Sequence, residues 1–354
     1  MRNTKAKKLL FQTKMEIIPT APFHFDSTFY KPAHFPSSDT KWEKGKRWDT
    51  MLWQGQKLGL IFENVGTVNK PKVIVKIYSE KELSLAYLQE LKNELIWQYN
   101  LDLDLKQFYK DLKNEIILVD VFKRFRGLRP MSDSLYEYLI IAIVLQNATV
   151  KRSVNMLQAL FENYGALLEF DNQRLWCFWE SSALAKANEQ DLRNLKVGYR
   201  AKSLIKVSIP FARPCLSHPL RKESKEERSN FLNSSSFSEK EIDEFVLREK
   251  NQEEQEKILL SLYGIGPAST GYIMFDVFHH WDYLKHISPW EQKIYTKIFF
   301  NKNYEKNLVP VDKMLKYFNR WGKWKNLAIH YLWEDIWWKR RNEHIPWLER
   351  LIRL

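Results

Sequence analysis

The sequence has few of the residues that metal clusters, disulfide frameworks and membrane spans require. It contains two cysteines, Cys177 and Cys215, in 354 residues, too few for a four-cysteine iron–sulfur cluster or a disulfide framework. No stretch approaches the roughly 20 consecutive apolar residues of a membrane span. The basic start, residues 1–8, is not followed by the long apolar segment of a secretion signal. These absences predict a cytoplasmic protein in a reducing compartment.

Acidic residues are in the minority. There are 43 Asp and Glu against 56 Lys and Arg, which gives a net charge of +13. Such a charge favours a polyanionic partner, although a merely basic soluble protein would have the same balance. A chain of this length predicts two domains, each able to bury a core.

Glycine is scarce as well, with 11 residues, yet Gly264 and Gly266 lie two positions apart. An apolar helical pattern precedes them, and Pro267 suits the first turn of a second helix. Both glycines can adopt positive φ. A hairpin of this kind aims backbone N–H groups at one point beside the positive end of a helix dipole, which suits a phosphate. An ordinary core connection has the same pattern.

Together with residues 287–291, this stretch closely resembles the helix-hairpin-helix (HhH-GPD) DNA glycosylases, in particular their 8-oxoguanine and alkyladenine branches. The resemblance implies an α+β fold with a small antiparallel β-sheet N-terminal domain, followed by a mostly α-helical glycosylase body. We expect a basic tail at 1–16, the sheet domain at 17–115 and the helical body at 116–354, with an insertion at 213–238. Residues 165–209 are predicted to be helical.

The same resemblance implies a base-excision repair enzyme. Such an enzyme flips a damaged base out of duplex DNA and hydrolyses its N-glycosidic bond. It implies a nucleoid-associated monomer that needs no cofactor beyond a monovalent cation at the hairpin, and no metal ligand set is visible in the sequence. The residues predicted to contact phosphate at the hairpin are Gly264, Ile265, Gly266 and Ala268.

Three further segments support the resemblance. The polar turn after an apolar helix at 135–144 matches the family's DNA-facing turn, which makes Asn147 the residue that fills the gap left by the flipped nucleotide. Arg152 would contact the estranged base. The basic residues around Gly198 are candidates for further DNA contacts, and they are also typical of a solvated charged face. These residues are Lys196, Arg200 and Lys202.

The third segment, a tryptophan-rich helix near the end of the chain, resembles the helix that returns to the active site. Asn326 and His330 are spaced i, i+4 and share one face of it. With Tyr272, they are the residues predicted to form the base pocket. Trp321 and Trp324 are predicted to be core aromatics.

The family has an aspartate at the start of the helix after the hairpin, and this sequence has Glu291. A fixed carboxylate there stabilises positive charge on the sugar and orients water. Glu291 also completes a capping box with Ser288, in which it would bind backbone instead. Asp282 is the alternative carboxylate, and Asp276 follows it.

The nucleophile can be predicted from a second departure from the family pattern. Family members that also cut the strand carry a lysine two residues after the second glycine, where this chain has Ala268. We therefore predict a monofunctional enzyme that uses water. The alternatives are a glycosylase/lyase that uses another lysine, such as Lys293 or Lys297, and a DNA-binding protein without catalytic activity.

Overall fold

The computed structural model describes residues 5–30, 35–212 and 241–352. Most of the predicted insertion at 213–238, together with Cys215, lies outside these ranges. The other cysteine, Cys177, is fully buried.

A five-stranded antiparallel sheet forms the N-terminal part of the chain, with the order β2-β6-β5-β4-β3. Its strands are β2 (Phe11–Ile17), β3 (Lys41–Glu43), β4 (Lys46–Trp53), β5 (Gln56–Asn64) and β6 (Val73–Ser79). Alternate residues of β6, from Val73 to Ile77, are completely buried, as the period of a half-buried strand requires. They pack in one cluster with Leu91 and Leu95 of helix α2, so this face of the sheet forms the N-terminal core.

The predicted basic tail is wrong over residues 7–16. Lys7–Lys8 form strand β1, and β2 pairs along its whole length with β6. Most side chains of β2 are exposed or half-buried, so its sequence lacks the apolar alternation that identifies a strand. Backbone pairing with β6 therefore determines this strand.

The predicted helix over 165–209 is also wrong at its beginning. Strands β7 (Ala166–Phe170) and β8 (Gln173–Cys177) form a hairpin, and β7 pairs in parallel with β1. Asp171 and Asn172 connect the two strands with φ of 46° and 57°. Asp and Asn tolerate this left-handed conformation, which two-residue hairpin turns require. The Asp-Asn pair was therefore the available signal.

The rest of the chain is helical, which confirms the predicted α+β class. The helices of the described residues are α1 (Phe25–Phe29), α2 (Leu85–Gln98), α3 (Lys106–Leu112), α4 (Ile116–Arg124), α5 (Leu135–Leu145), α6 (Val150–Tyr164), α7 (Ser181–Ala185), α8 (Glu189–Leu192), α9 (Arg200–Ser208), α10 (Glu244–Arg248), α11 (Gln252–Ser261), α12 (Pro267–Asp276), α13 (Pro289–Phe300), α14 (Val311–Phe318), α15 (Lys325–Asn342) and α16 (Pro346–Leu351). A π-helical turn at Arg193–Val197 and 3-10 turns at Ile209–Phe211 and Asn319–Trp324 connect some of them.

Two hydrophobic clusters divide the helices into two halves. One contains α5, α6 and α9, and the other contains α13, α14 and α15. Helix α3, which the prediction assigned to the N-terminal domain, packs in the second half through Phe108. Helix α12 lies between the halves, since Ile273 and Met274 belong to the first cluster and Phe275 to the second. A cleft between the halves is therefore lined by α12.

No helix in the described ranges is both long and apolar enough to cross a membrane.

Candidate DNA-binding cleft and active site

The glycine hairpin lies between α11 and α12, and its two glycines serve different purposes. Gly264 has φ +86°, and a Cβ there would lie 2.7 Å from Ser203 Oγ. Gly266 has φ −111°, so the expected positive φ is found at Gly264 and not at Gly266. A Cβ on Gly266 would meet no described atom within 4 Å. Backbone conformation and packing therefore require Gly264, whereas Gly266 leaves the hairpin surface open.

Several backbone donors at this surface are available. Among the described residues, the amides of Gly266, Ala268 and Ser269 have no hydrogen-bond acceptor. They lie at the N-terminus of α12, where the helix dipole favours an anion. Ile265 differs, because its amide donates to the carbonyl of Leu262 at 3.1 Å and its side chain is buried. The prediction that Ile265 contacts phosphate is therefore corrected.

The turn after α5 is joined to this hairpin. Gln146 Nε2 donates to the carbonyl oxygen of Gly264 at 2.6 Å. Asn147 is exposed in a left-handed conformation, and its Nδ2 lies 3.3 Å from the hydroxyl of Tyr199. Arg152 is exposed one turn into α6. The predicted wedge residues thus protrude from a turn that is attached to the anion-binding hairpin.

Arg200 is not a surface residue, which corrects its assignment as a phosphate contact. It is 1% exposed, and its guanidinium donates to the carbonyl oxygens of Ile143 and Gln146. These carbonyls lie at the end of α5 and have no intrahelical donor. Arg200 therefore holds the wedge turn in place from inside the protein.

The exposed cations near the hairpin lie on α9. The Nζ atoms of Lys202 and Lys206 lie 5.5 and 4.7 Å from the ring centre of Tyr263, which precedes Gly264. Lys206 was missed, although its i+4 spacing from Lys202 placed it on the same face. Lys196 is exposed with φ +65° in the turn before α9. The hairpin is thus bordered by positive charge.

A pocket of about 130 Å³ opens into the cleft beside α12. The hairpin's second helix contributes one wall, the connection between α12 and α13 a second, and α13 and α15 the others. The lining residues are Ala268, Gly271, Tyr272, Phe275, Asp276, Tyr283, Leu284, Lys285, His286, Glu291, Tyr295, Asn326, Ile329, His330 and Trp333. All three predicted base-pocket residues and the predicted carboxylate therefore line the same cavity.

Glu291 both caps α13 and borders the pocket. Its Oε2 accepts from the amide of Ser288 at 2.8 Å, and Ser288 Oγ accepts from the amide of Glu291 at 3.3 Å. The alternative structural role is therefore present. Capping engages one carboxylate oxygen at the positive end of a helix. The carboxylate still lines the cavity, so capping and chemistry are compatible.

Two buried aromatic residues support Glu291 from behind. The hydroxyl of Tyr295 hydrogen-bonds to the Glu291 carboxylate, and burial together with that negative charge raises the pKa of Tyr295 well above its usual value. Tyr295 therefore remains a donor. Trp333 Nε1 in turn donates to the Tyr295 hydroxyl at 2.8 Å. The carboxylate is thus oriented by a chain of donors that begins on α15.

His330 and Asn326 occupy the same face of α15, as predicted from their spacing. The His330 ring lies 5.4 Å from that of Phe275 in the pocket wall. Asn326 Nδ2 donates to the carbonyl of Tyr283 at 2.6 Å, and its amide donates to the carbonyl of Trp281 at 2.8 Å. Asn326 therefore also anchors the loop before α13. Trp321 and Trp324 are buried, as expected of core aromatics.

Similar proteins are known in sequence and in structure. A DNA-3-methyladenine glycosylase of Bacillus subtilis is 23% identical over 283 residues, which cover 77% of this chain and 81% of the relative. An N-glycosylase/DNA lyase of Saccharomyces cerevisiae is 24% identical over 298 residues, covering 75% of this chain and 73% of the relative. No protein-family model matches the sequence.

Two solved structures match at TM-scores above 0.6. A 3-methyladenine DNA glycosylase from Archaeoglobus fulgidus aligns with TM-score 0.66 and 14% identity, covering 91% of this chain and 99% of that one. The Clostridium acetobutylicum 8-oxoguanine glycosylase/lyase, in complex with double-stranded DNA, aligns with TM-score 0.62 and 17% identity, covering 94% and 99%. The chain has the fold of the helix-hairpin-helix DNA glycosylases. The predicted resemblance is confirmed, and its homologues are N-glycosyl hydrolases of base-excision repair.

The carboxylates of this helix-hairpin-helix protein rank differently from the sequence prediction. Asp282 is exposed, lies outside the pocket and accepts from Gln252 Nε2 at 3.3 Å. Asp276, the poorer alternative in the sequence, lines the pocket at the end of α12. The longer loop before α13 carries Asp282 away from the cleft, whereas helical periodicity turns Asp276 towards it. Asp282 is therefore withdrawn as the alternative to Glu291.

The lysines of the helix-hairpin-helix core also differ from expectation. Lys293 and Lys297 lie on α13 and do not line the pocket, whereas Lys285 does. Lys285 forms an ion pair with Glu256 of α11 and lies 5.1 Å from the ring centre of Tyr283. Sequence reasoning missed Lys285 because it lies in an irregular loop without a periodic pattern.

Proposed function

We propose that the protein is a monofunctional DNA glycosylase that flips a damaged base from duplex DNA and hydrolyses its N-glycosidic bond. The observation that carries the proposal is the position of Glu291. Its carboxylate borders an aromatic-walled pocket that is lined by the helix of the anion-binding hairpin. The hairpin can hold the phosphate backbone while the pocket receives the extruded base.

The pocket walls suit a planar base. Tyr272, Phe275, Tyr283, His330 and Trp333 line it, and base–aromatic stacking is worth about 1–3 kcal/mol per base. That gain offsets the few kcal/mol needed to unstack a damaged nucleotide. Asn147, on a turn fixed by Gln146 and Arg200, would fill the gap left in the duplex.

Glu291 would perform the chemistry. Positive charge develops on the sugar as the base departs, and a fixed carboxylate beside it lowers the barrier. The carboxylate can also orient or deprotonate the attacking water. Tyr295 and the Ser288 amide keep it in place in advance, so little reorganisation accompanies the reaction.

Water is the proposed nucleophile because position 268 is an alanine. The one lysine in the described pocket lining, Lys285, is paired with Glu256. An ion pair favours the protonated ammonium, which is not nucleophilic. The second candidate function is a glycosylase/lyase that uses Lys285, and its presence in the pocket is the observation in favour. We further propose that the protein acts as a nucleoid-associated monomer, with a monovalent cation at the hairpin.

Base release from defined duplexes tests the function. We expect the protein to release at least one of 8-oxoguanine, a 3-methyladenine-type lesion, hypoxanthine and uracil, and to leave an uncut abasic strand. Borohydride should trap no covalent adduct. An adduct that disappears in Lys285→Ala would establish the lyase, and release of none of the four bases would favour a non-catalytic DNA-binding protein.

Tyr295→Phe tests how Glu291 is held. The variant removes a hydrogen bond to a charged group, worth about 1.5–3 kcal/mol. We expect single-turnover base release to slow at least about tenfold, with little change in affinity for lesion DNA. Trp333→Phe is the matched control, since it keeps an aromatic ring and removes only the donor to Tyr295, so its effect should be smaller. Equal loss of rate and affinity in Tyr295→Phe would indicate a general packing defect instead.

A further inference from the structure

We propose that Asp276 is a specificity-determining residue, which selects flipped bases that present an N–H or amino donor over those that present only a carbonyl there. This inference rests on the proposed function and names a property of its substrate. It concerns a second acidic side chain in the pocket, separate from Glu291.

Asp276 belongs to the face of α12 that forms the pocket wall. Ala268, Tyr272, Phe275 and Asp276 are spaced i, i+4, i+7 and i+8, and all four line the cavity. At 1.5 Å rise per residue, Asp276 lies about 12 Å along the helix from Ala268. Ala268 adjoins the hairpin and Asp276 lies at the other end of the wall, where an extruded base would present its edge.

The carboxylate is held in place from the neighbouring helix. The hydroxyl of Tyr138, on α5, donates to Asp276 Oδ2. Tyr138 is 6% exposed, so its hydroxyl cannot turn to solvent. A carboxylate at the C-terminal end of a helix is opposed by the helix dipole. Asp276 therefore does not serve the stability of α12, and its position is explained by what it faces.

The pocket is negative on two sides. Burial first, and then the charges of Glu291 and Asp276, raise the pKa of Tyr272, so both carboxylates act on a hydroxyl located between them. The one lysine among the lining residues, Lys285, is paired with Glu256. An ionised carboxylate is purely an acceptor. A base that places a carbonyl against it would leave two acceptors facing each other without a donor.

The test uses Asp276→Asn, which keeps the shape of the side chain and adds an N–H donor. The probes are matched duplexes that differ by one exocyclic group: 8-oxoguanine against 8-oxohypoxanthine, 7-methylguanine against 7-methylhypoxanthine, and 3-methyladenine against 3-methylhypoxanthine. In the wild type we expect kcat/KM to favour the amino-bearing member of at least one pair by about tenfold or more, because an unmatched polar group is costly in a closed site.

In Asp276→Asn this ratio should fall at least about tenfold, mainly through faster release of the analogue without the amine. An unchanged ratio, or an equal loss on both members, would overturn the inference. If Asp276→Asn does not fold, Tyr138→Phe carries the test, since it leaves the carboxylate and removes its tether, and an unchanged ratio there would also overturn the inference. No base release by the wild type would instead overturn the proposed function.

Discussion

A Glu291→Gln variant should lose about 10²- to 10³-fold in the rate of base release and keep its affinity for lesion DNA. The change replaces a negative charge by a neutral amide beside the sugar, and a single preorganised group of this kind is worth about 3–4 kcal/mol in the transition state. Binding depends on the hairpin amides, the basic border and the aromatic walls, none of which changes. Single-turnover base release and a fluorescence binding assay on the same duplex would measure the two quantities.

The capping role of Glu291 makes a matched control possible. Glutamine also completes a capping box at this position, so Glu291→Gln should unfold at nearly the temperature of the wild type. Ser288→Ala has the opposite effect, because it removes the cap and costs about 1 kcal/mol of stability while leaving the carboxylate. A stable protein that is inactive, beside a less stable protein that is active, would separate chemistry from capping. Full activity in Glu291→Gln would mean that another group supplies the charge.

A Gly266→Asp variant should lose at least about 100-fold in affinity for duplex DNA without losing stability. The backbone at Gly266 has φ −111°, and a Cβ there meets no described atom within 4 Å, so the side chain is tolerated in the free protein. It would place a negative charge where the hairpin amides are proposed to hold a phosphate. Two like charges about 4 Å apart repel by about 4 kcal/mol near a protein surface.

Gly266→Asn separates charge from size, because asparagine has the shape of aspartate and no charge. We expect it to weaken binding by much less than Gly266→Asp, and the difference should shrink as salt is raised. Titration of an undamaged duplex at several salt concentrations measures both effects. Equal affinities for the two variants at low salt would show that no phosphate lies at this hairpin.

The hairpin and the aromatic pocket could largely be predicted from the sequence because they rest on local rules. Gly264 and Pro267 mark a turn between two periodic apolar segments, and the spacing of Asn326 and His330 places them on one helical face. Helical periodicity gives these relationships without knowledge of other parts of the chain. The spacing of Tyr272 and Asp276 is of the same kind, although the sequence does not show that this face borders a cavity.

Other features depend on partners far away in the chain. Strand β2 exists because its backbone pairs with β6, and its own side chains carry no strand pattern. Arg200 lies in a basic cluster that resembles a DNA-binding edge, yet it is buried because two carbonyls at the end of α5 need a donor. Lys285 is brought to the pocket by a loop whose path is fixed by contacts with α11 and α15.

The sequence by itself therefore determined the α+β class, the hairpin, the candidate carboxylate Glu291 and the faces of the helices, since each follows from the periodicity or turn chemistry of a short segment. The tertiary structure decided which acidic residues reach the cleft, which basic residues remain at the surface and what holds Glu291 in place. These outcomes depend on distances between segments more than a hundred residues apart, such as Tyr138 and Asp276, and no local pattern encodes them.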